Sequence, residues 1–224
     1  TSRRQRQMCI RDRTEGGSMT DIYVYNQLTK DNNGNIKVDQ NGNLGITSSN
    51  TPVKVGNLDA DFNLGWTNHF TYKGIDLGVV LSARVGGLAY SATQGILDYY
   101  GVSGTSATAR DNGGIPINNG KVNAQKYYQT IGTGEGGYGR YYLYSATNVR
   151  LQELSLNYTL PKRWFKNVAN VTLGIVGRNL WMIYCKAPFD PELSASTSSN
   201  YYMNVDYFMQ PSLRNFGFNV KVQF

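Results

Sequence analysis

The sequence is poor in the residue types that usually build catalytic and metal-binding sites. It has two cysteines, Cys9 in the N-terminal tail and Cys185 in a predicted loop, and no CxxC pair. This pattern defines neither a disulfide framework nor a cysteine metal site. Its one histidine, His69, is one of the polar positions of a predicted strand, where a solvent-exposed side chain is expected in place of a catalytic or metal-ligating one. No metal or cofactor is therefore expected.

Long apolar runs are also absent. The mean hydropathy is −0.42, and no run approaches the roughly 18 consecutive apolar residues of a transmembrane helix. A membrane-spanning β-barrel is compatible with this composition, because its lipid-facing side chains alternate with polar ones. No charged n-region followed by an apolar h-region opens the chain, so an exported product is expected to be a fragment or to have lost its signal peptide.

The basic character of the chain is concentrated in a short tail. The net charge is +7, but residues 1–13 contain five arginines and one aspartate, and the remaining residues carry only about +3. This tail has no strand or helix periodicity. Residues 1–19 are interpreted as a non-native or disordered tail, such as translated adapter sequence plus a linker, with a functional basic arm as the alternative. Residues 20–224 are expected to hold the fold, and nucleic acid is not an expected partner.

Aromatic residues and glycine are plentiful. The chain has 17 Tyr and 25 Gly, with abundant Asn, Thr and Ser, as in all-β proteins with polar turns. The clearest alternation is at the C-terminus, where Phe216, Phe218, Val220, Val222 and Phe224 fall on one side of a strand and polar residues on the other. About 9–11 alternating residues with interfacial aromatics are typical of a strand that crosses a bilayer.

Alternation of this kind predicts an antiparallel up-and-down meander of about six long strands. These span residues 22–28, 62–72, 75–86, 144–160, 170–183 and 216–224. A tight turn at Lys73-Gly74 joins the second strand to the third. In the fourth strand the apolar positions change parity, which predicts a β-bulge near Gln152-Glu153. Trp164, in the compact turn that follows, is placed as an interfacial anchor.

The predicted connections alternate in length: long (30–57), short (73–74), long (87–140), short (161–169) and long (184–210). The first contains a small hairpin at Asn33-Gly34, without the spacing of an EF-hand, and the second a short helix within 90–100, the rest being loop. In a meander, alternate connections lie at the same end, so all the long ones share one rim. Short turns on one rim and long loops on the other are typical of outer-membrane barrels. Six strands do not close a barrel.

Several strings of this sequence occur together and in order in one family. They are residues 56–65 (GNLDADFNLG), 148–161 (NVRLQELSLNYTLP), 177–180 (GRNL), 189–192 (FDPE) and 211–224 (PSLRNFGFNVKVQF). In this combination the chain resembles the TonB-dependent outer-membrane receptors of the SusC/RagA type. The strings extend from about residue 20 to the end, where this family has the C-terminal part of its barrel.

The resemblance implies a 22-stranded barrel with an internal plug and long extracellular loops. It implies import of oligosaccharides or peptides across the outer membrane of a Gram-negative, Bacteroidetes-like cell. Implied partners are outer-membrane lipid, a SusD-like surface lipoprotein and the TonB complex, which would act through N-terminal parts that this chain lacks. The spacing of Gly217, Val220, Val222 and terminal Phe224 also resembles the signal read by the barrel-assembly machinery.

Candidate substrate contacts are aromatic side chains of the predicted loops, because aromatic rings stack on sugars and apolar groups with little loss of entropy. They are Tyr99, Tyr100, Tyr127, Tyr128, Tyr138, Tyr201, Tyr202 and Tyr207. The alternative is that these rings pack the loops against one another or against a capping partner.

Charged residues of the predicted strands and loops have structural interpretations. Asp190 and Glu192, on either side of a proline, are expected to brace a loop. Arg84, Arg150 and Arg178 are expected to face a polar lumen and to pair with carboxylates.

The sequence does not favour an enzyme. A nucleophile would need a base within reach, and the single histidine has neither a carboxylate nor a GxSxG motif around it. The main alternative to a transporter part is a soluble, secreted all-β carbohydrate-binding module.

Overall fold

The structure is a computed structural model that describes residues 15–132, 138–166, 168–193 and 204–223. The chain divides into two compact units. The loop module consists of Thr1–Asp59, Gly87–Tyr144 and Leu193–Met209, and the sheet unit of Ala60–Gly86, Ser145–Glu192 and Gln210–Phe224.

The described part of the chain contains twelve strands and three α-helices. In order they are β1 (Asp21–Leu28), β2 (Ile46–Asn57), β3 (Phe62–Tyr72), β4 (Ile75–Val85), β5 (Leu88–Ser91), α1 (Ala92–Tyr99), α2 (Gly104–Asp111), β6 (Ile115–Ile117), β7 (Gly120–Val122), α3 (Ala124–Gly132), β8 (Leu143–Ser145), β9 (Asn148–Thr159), β10 (Asn170–Cys185), β11 (Val205–Asp206) and β12 (Asn215–Gln223). Two 3₁₀ helices cover Tyr138–Tyr142 and Lys162–Phe165. None of the described helices is long and apolar enough to cross a membrane.

The sheet unit is built on one five-stranded antiparallel sheet in the order β12-β10-β9-β4-β3. Neighbours in this sheet are also consecutive in the meander, and the short connections alternate with the long ones, as the sequence predicted. The prediction of six strands in one meander was wrong. β1 pairs with β2 in a separate two-stranded sheet, and Ile46–Asn57, which was assigned to a connection, is itself a strand.

The register aligns apolar residues in rows across the whole sheet, because side chains on one face of a sheet recur every second residue. One row is Tyr72, Ile75, Tyr158, Leu173 and Val220, and the next is Phe70, Leu77, Leu156, Ile175 and Phe218. A third runs from Val79 through Leu154 to Phe216 by way of Gly177, and a fourth joins Trp66, Leu81, Leu151 and Trp181.

The predicted β-bulge in β9 is confirmed. Val80 of β4 pairs with Glu153, whereas the next residue, Leu81, pairs with Leu151. Gln152 is therefore the extra residue, and its insertion brings Leu151 onto the same face as Leu154. The register with β10 is irregular at the same level, between Arg178 and Trp181.

Tight turns form the short-connection rim of the sheet. Lys73 and Gly74 both have positive φ, 46° and 87°, as a two-residue type I′ hairpin requires. A side chain at position 74 would also collide with the Thr159 carbonyl, 2.9 Å from an added Cβ. At the other turn, the 3₁₀ helix Lys162–Phe165 ends at Lys166 in the left-handed conformation, and Trp164 is exposed.

The loop module contains more regular structure than the sequence predicted. The short helix expected within 90–100 is α1, but α2, α3, β6 and β7 occupy much of the segment that was assigned to loop. Ser91 and Ser103 cap α1 and α2, each accepting a hydrogen bond from the backbone N–H three residues later. A core of Leu28, Leu44, Ile117, Val122, Ile131 and Tyr142 joins these elements to β1.

The predicted hairpin turn at Asn33-Gly34 is one of two similar turns. Asp31 accepts hydrogen bonds from the backbone N–H groups of Asn33 and Asn35, both at 2.8 Å. Asp39 does the same for Asn41 and Asn43, at 2.8 and 2.7 Å. Isolated bridges at Lys30–Ile36 and Val38–Leu44 close the two turns. Both carboxylates therefore have a structural role in turns.

Candidate functional site

The sheet unit exposes a continuous apolar face, made of the four rows described above. Phe216 and Phe218 of β12 are 75% and 69% exposed, and Ile175 of β10 is 58% exposed. Trp66, Phe70 and Tyr72 of β3 are also exposed. A face of this extent is far larger than the scattered apolar side chains of an ordinary protein surface, and faces of this kind mark contact with a partner or a membrane.

The opposite face of the same sheet is polar and closely packed. Asp76, Asn157, Gly174 and Asn219 form one row across β4, β9, β10 and β12. A Cβ at Gly174 would lie 2.1 Å from the Asn157 side-chain oxygen and 2.5 Å from that of Asn219. Glycine thus allows the two amides to approach over the backbone.

The three predicted arginines all lie on this polar face. Arg178 pairs with Glu153 at 2.8 Å on an exposed part of it. Arg84 stands between Asn63 and Asn148 in the register, and Arg150 stands opposite Ser82. The expected pairing with carboxylates is confirmed for Arg150 and Arg178.

Arg150 is the centre of a buried cluster. Its side chain is only 4% exposed, and Nη2 lies 2.6 Å from an Asp190 carboxylate oxygen and 3.4 Å from one of Glu192. Nη1 donates to the Asn179 side-chain oxygen at 2.9 Å and to the Ser212 hydroxyl at 3.2 Å. We call these five residues the Arg150 cluster.

The Arg150 cluster joins the two ends of the long connection between β10 and β12 to the sheet. Asp190 and Glu192 belong to its first end, and Ser212, which donates to Asp190, to its second. Asn179 has positive φ, 54°, and also donates to the Leu213 carbonyl. The interpretation of Asp190 and Glu192 as a brace is confirmed.

The charge balance of the Arg150 cluster favours an ionised Asp190. Burial acts to raise the pKa of this carboxyl, but hydrogen bonds from Ser212 and Arg150 outweigh burial and hold the pKa below its usual value. A buried guanidinium needs such partners, because an unpaired charge away from water is very costly.

The structure separates the candidate tyrosines into two groups. Tyr100 and Tyr207 are exposed, at 73% and 56%, and each stacks edge-on with a neighbour, Tyr99 and Phe208. Tyr127 and Tyr128 pack against the core of the loop module, which is the alternative that the sequence left open. Tyr201, Tyr202 and the side chain of Tyr138 lie outside the described residues.

The predicted assembly signal lies on β12, except for Phe224, which lies outside the described residues. Val220 and Val222 pair with Leu173 and Val171 on the exposed apolar face. Gly217 pairs with Val176 and belongs to the opposite face. The role of these residues in assembly stays a prediction.

Sequence reasoning missed a cleft of about 680 Å³ in the loop module. It is lined by Gly104, Thr105, Thr108, Ala109, Asn112, Gly114, Ile115, Pro116, Lys121 and Tyr128. These residues come from α2, the β6–β7 hairpin and α3. No local motif marks the cleft, because the segments that form it meet only in the folded chain.

His69 and Cys185, the other residues considered for catalysis or metal binding, both lie in strands of the sheet unit. His69 is exposed on β3 and pairs in register with Gly78. Cys185, which was predicted in a loop, is the last residue of β10. Among the described residues, no group of three or more His, Cys, Asp or Glu side chains has the arrangement of a metal site.

Comparison with known proteins gives a relative and several similar folds. No protein-family model matches the chain. The chain is 26% identical over 217 residues to TonB-dependent receptor P3 of Formosa agariphila, covering 94% of this chain and 21% of that receptor. The structure of the RagAB peptide importer in its closed-closed state covers 90% of this chain with a TM-score of 0.58 and 17% identity. The open-open state covers 92%, also with a TM-score of 0.58, at 16% identity.

These comparisons show that the fold, with a long-stranded antiparallel sheet as its main element, is also found in the RagAB peptide importer. The chain spans about a fifth of the length of the proteins it matches, 21% of the receptor and 22% of the importer chains. The resemblance to TonB-dependent receptors of the SusC/RagA type, which the sequence motifs indicated, is confirmed.

Proposed function

We propose that this chain forms part of the wall and of the external loops of a TonB-dependent nutrient transporter in the outer membrane of a Gram-negative bacterium. The observation that carries the proposal is the apolar face of the sheet unit. Four rows of apolar side chains lie on one face, two of them crossing all five strands, while the reverse face is polar; lipid outside and water inside a barrel wall require this arrangement.

The strand lengths support the same function. β3, β4, β9 and β10 have 11, 11, 12 and 16 residues, whereas strands of soluble proteins average about 5–6. A tilted strand needs about 9–11 residues to cross the hydrocarbon core. These strands are therefore long enough to span a bilayer.

The remaining strands of a closed barrel would have to come from outside this chain, because the sheet has five strands and even small barrels need about eight. We infer that the intact protein is a 22-stranded barrel with a plug. It would act with a SusD-like surface lipoprotein and the TonB complex, and would reach the membrane through the barrel-assembly machinery. Its cargo would be oligosaccharides or peptides, taken up without chemical change.

Adjacent residues on β12 give a direct test of the proposed lipid face. Phe218 lies on the apolar face and Asn219 on the polar one. Each would be replaced by Cys in a chain whose native Cys9 and Cys185 are changed to Ser, spin-labelled, and reconstituted in phospholipid vesicles. The Phe218→Cys label should collide more with oxygen, which concentrates in lipid, and the Asn219→Cys label more with a water-soluble nickel chelate.

Equal accessibility of the two labels to both reagents would contradict the proposal. So would recovery of the chain as a monodisperse soluble monomer without detergent, which would favour the soluble carbohydrate-binding module instead.

A further inference from the structure

The short-connection rim of the sheet unit carries a concentration of positive charge. Its two turns contain four exposed cations, which we call the basic rim: Lys73, Lys162, Arg163 and Lys166. The segment 155–172, which includes the second turn, has no Asp or Glu. Beside the first turn, Asp76 lies on the polar face of the sheet, where it accepts a hydrogen bond from the Thr71 hydroxyl at 2.9 Å. The turns themselves therefore carry charge of one sign only.

The cations of the basic rim have no ion-pair partner among the described residues, whose ion pairs all involve other side chains. On the polar face of the same sheet, by contrast, Arg150 and Arg178 each pair with a carboxylate. Like charges held close together repel one another, and an anionic partner relieves that repulsion. The four charges are therefore available to a partner outside this chain.

The two turns of the basic rim are neighbours in the sheet. The Gly74 carbonyl accepts a hydrogen bond from the Thr159 backbone N–H at 2.7 Å, and the 3₁₀ helix of the second turn begins three residues after Thr159, at Lys162. The backbone N–H of Lys166 donates to the Lys162 carbonyl, which keeps this second turn compact. The four cations are thus concentrated at adjacent strand ends.

The basic rim also adjoins the apolar face. Lys73 Nζ lies 5.2 Å from the centroid of the Tyr72 ring, a cation–π distance. Tyr72 and Tyr158 both belong to the first apolar row, and Trp164 is exposed within the second turn. Tyr and Trp rings of membrane proteins lie at the level of the lipid headgroups. An ammonium group beside such a ring is therefore at the depth of the lipid phosphates.

We propose that the basic rim binds the headgroups of anionic phospholipids, such as phosphatidylglycerol. Phosphate oxygens accept hydrogen bonds from ammonium and guanidinium groups, and an anionic lipid surface attracts basic residues near it. A lipid satisfies both parts of this surface, because its acyl chains cover the apolar rows while its phosphate meets the cations. A soluble acidic partner would cover the cations alone. The inference rests on the proposed function for the lipid face, and it deepens that function by naming the lipid that the rim selects.

The test compares the lipids that surround Trp164, by fluorescence quenching. Trp66 and Trp181 are changed to Phe, which leaves Trp164 as the one tryptophan of the chain. The full chain is reconstituted in vesicles of phosphatidylglycerol and phosphatidylcholine, with brominated acyl chains, which quench a tryptophan on contact, on either lipid in turn. The basic-rim variant has Gln in place of all four cations. The matched control has Gln in place of four exposed cations of the loop module: Lys30, Lys37, Arg110 and Lys121.

At about 0.02 M salt, phosphatidylglycerol should be enriched about fivefold over phosphatidylcholine beside Trp164, and about 0.5 M salt should remove most of this enrichment. The basic-rim variant should lose the enrichment at low salt, and the control should keep it. Glycerol phosphate should lower the enrichment no more than sodium chloride of the same ionic strength, because the proposed ligand is a membrane lipid and not free phosphate. The salt comparison uses the unchanged rim, so it does not depend on the folding of a variant.

The proposal is overturned if the single-tryptophan chain shows no enrichment, if the basic-rim variant retains it, or if the control loses it equally. A loss caused by glycerol phosphate beyond the effect of salt would also overturn it, since the rim would then be a site for free phosphate. Quenching by both brominated lipids without a headgroup preference would overturn this inference and leave the lipid face supported. Absence of quenching by either lipid would contradict both proposals.

Discussion

Arg150 differs from Arg178 in burial more than in chemistry. Both arginines come from the polar face of one sheet and both pair with a carboxylate. The Arg150 side chain is 4% exposed and has four partners, whereas Arg178 is 66% exposed and has one partner among the described residues, Glu153. Water screens the second pair and not the first, so the two pairs should contribute very differently to stability.

Arg150→Met should therefore destabilise the sheet unit by about 3–5 kcal/mol, because it leaves Asp190 buried without its cation. The matched change Arg178→Met should cost only about 0.2–1 kcal/mol. Guanidinium unfolding in micelles, followed by tryptophan fluorescence, measures both, since Trp66, Trp164 and Trp181 all belong to the sheet unit. Equal losses of unfolding free energy in the two variants would show that the Arg150 cluster stabilises the sheet unit no more than an exposed ion pair does.

At the scale of the element, β10 is a long strand with an apolar face on one side and a polar, closely packed face on the other. Its odd-numbered residues up to Ile175 face the apolar side, while Gly174 lies between the amides of Asn157 and Asn219 on the polar side. Trp181, which has the same parity as Ile175, lies on the apolar face again after the irregular pairing that follows Arg178. The irregularity therefore leaves the two faces of the strand unchanged.

Gly174→Ala should destabilise the sheet by about 0.5–1.5 kcal/mol, because the side-chain amides of Asn157 and Asn219 would have to rotate away from the added Cβ. Gly65→Ala on β3 is the matched control, since an added Cβ there has nothing within 4 Å, and its effect should stay within about 0.5 kcal/mol. Thermal unfolding followed by circular dichroism would compare them. A larger loss of stability in Gly65→Ala than in Gly174→Ala would contradict this prediction.

At the scale of the whole molecule, the sheet unit has open edges. Within the described residues, β3 and β12 each pair with a strand on one side only. Open edges of long apolar strands promote aggregation, so their natural state in the proposed transporter is pairing with the strands that complete the barrel. In that proposed transporter, barrel closure and membrane assembly would both depend on β12.

Deletion of Phe224 from the intact transporter should lower the amount of protein in the outer-membrane fraction, because the proposed assembly signal loses its terminal aromatic. Tyr100→Ala, which changes an exposed ring of the loop module, should leave that amount unchanged. Cell fractionation with quantitative immunodetection gives the measurement. Normal assembly of the deletion variant would remove the basis for treating this end as a signal.

Predictions that depend on side-chain periodicity were confirmed. The apolar faces of β3, β4 and β12, the turn at Lys73-Gly74 and the bulge at Gln152 were all readable from the sequence, because parity and turn chemistry are local properties. The bracing role of Asp190 and Glu192 and the pairing of Arg150 with carboxylates were also readable, but the sequence did not show that these residues pair with one another.

By itself, then, the sequence determined which residues of each long strand lie on its apolar face and which on its polar face, because a strand reverses its side chains at every step whatever surrounds it. Only the tertiary structure decided which strands pair, so β1 joined β2 and not the five-stranded sheet. It also decided the burial of Arg150 and the cleft beside Tyr128. These features bring together segments far apart in the chain, and their energies depend on contacts that no local pattern contains.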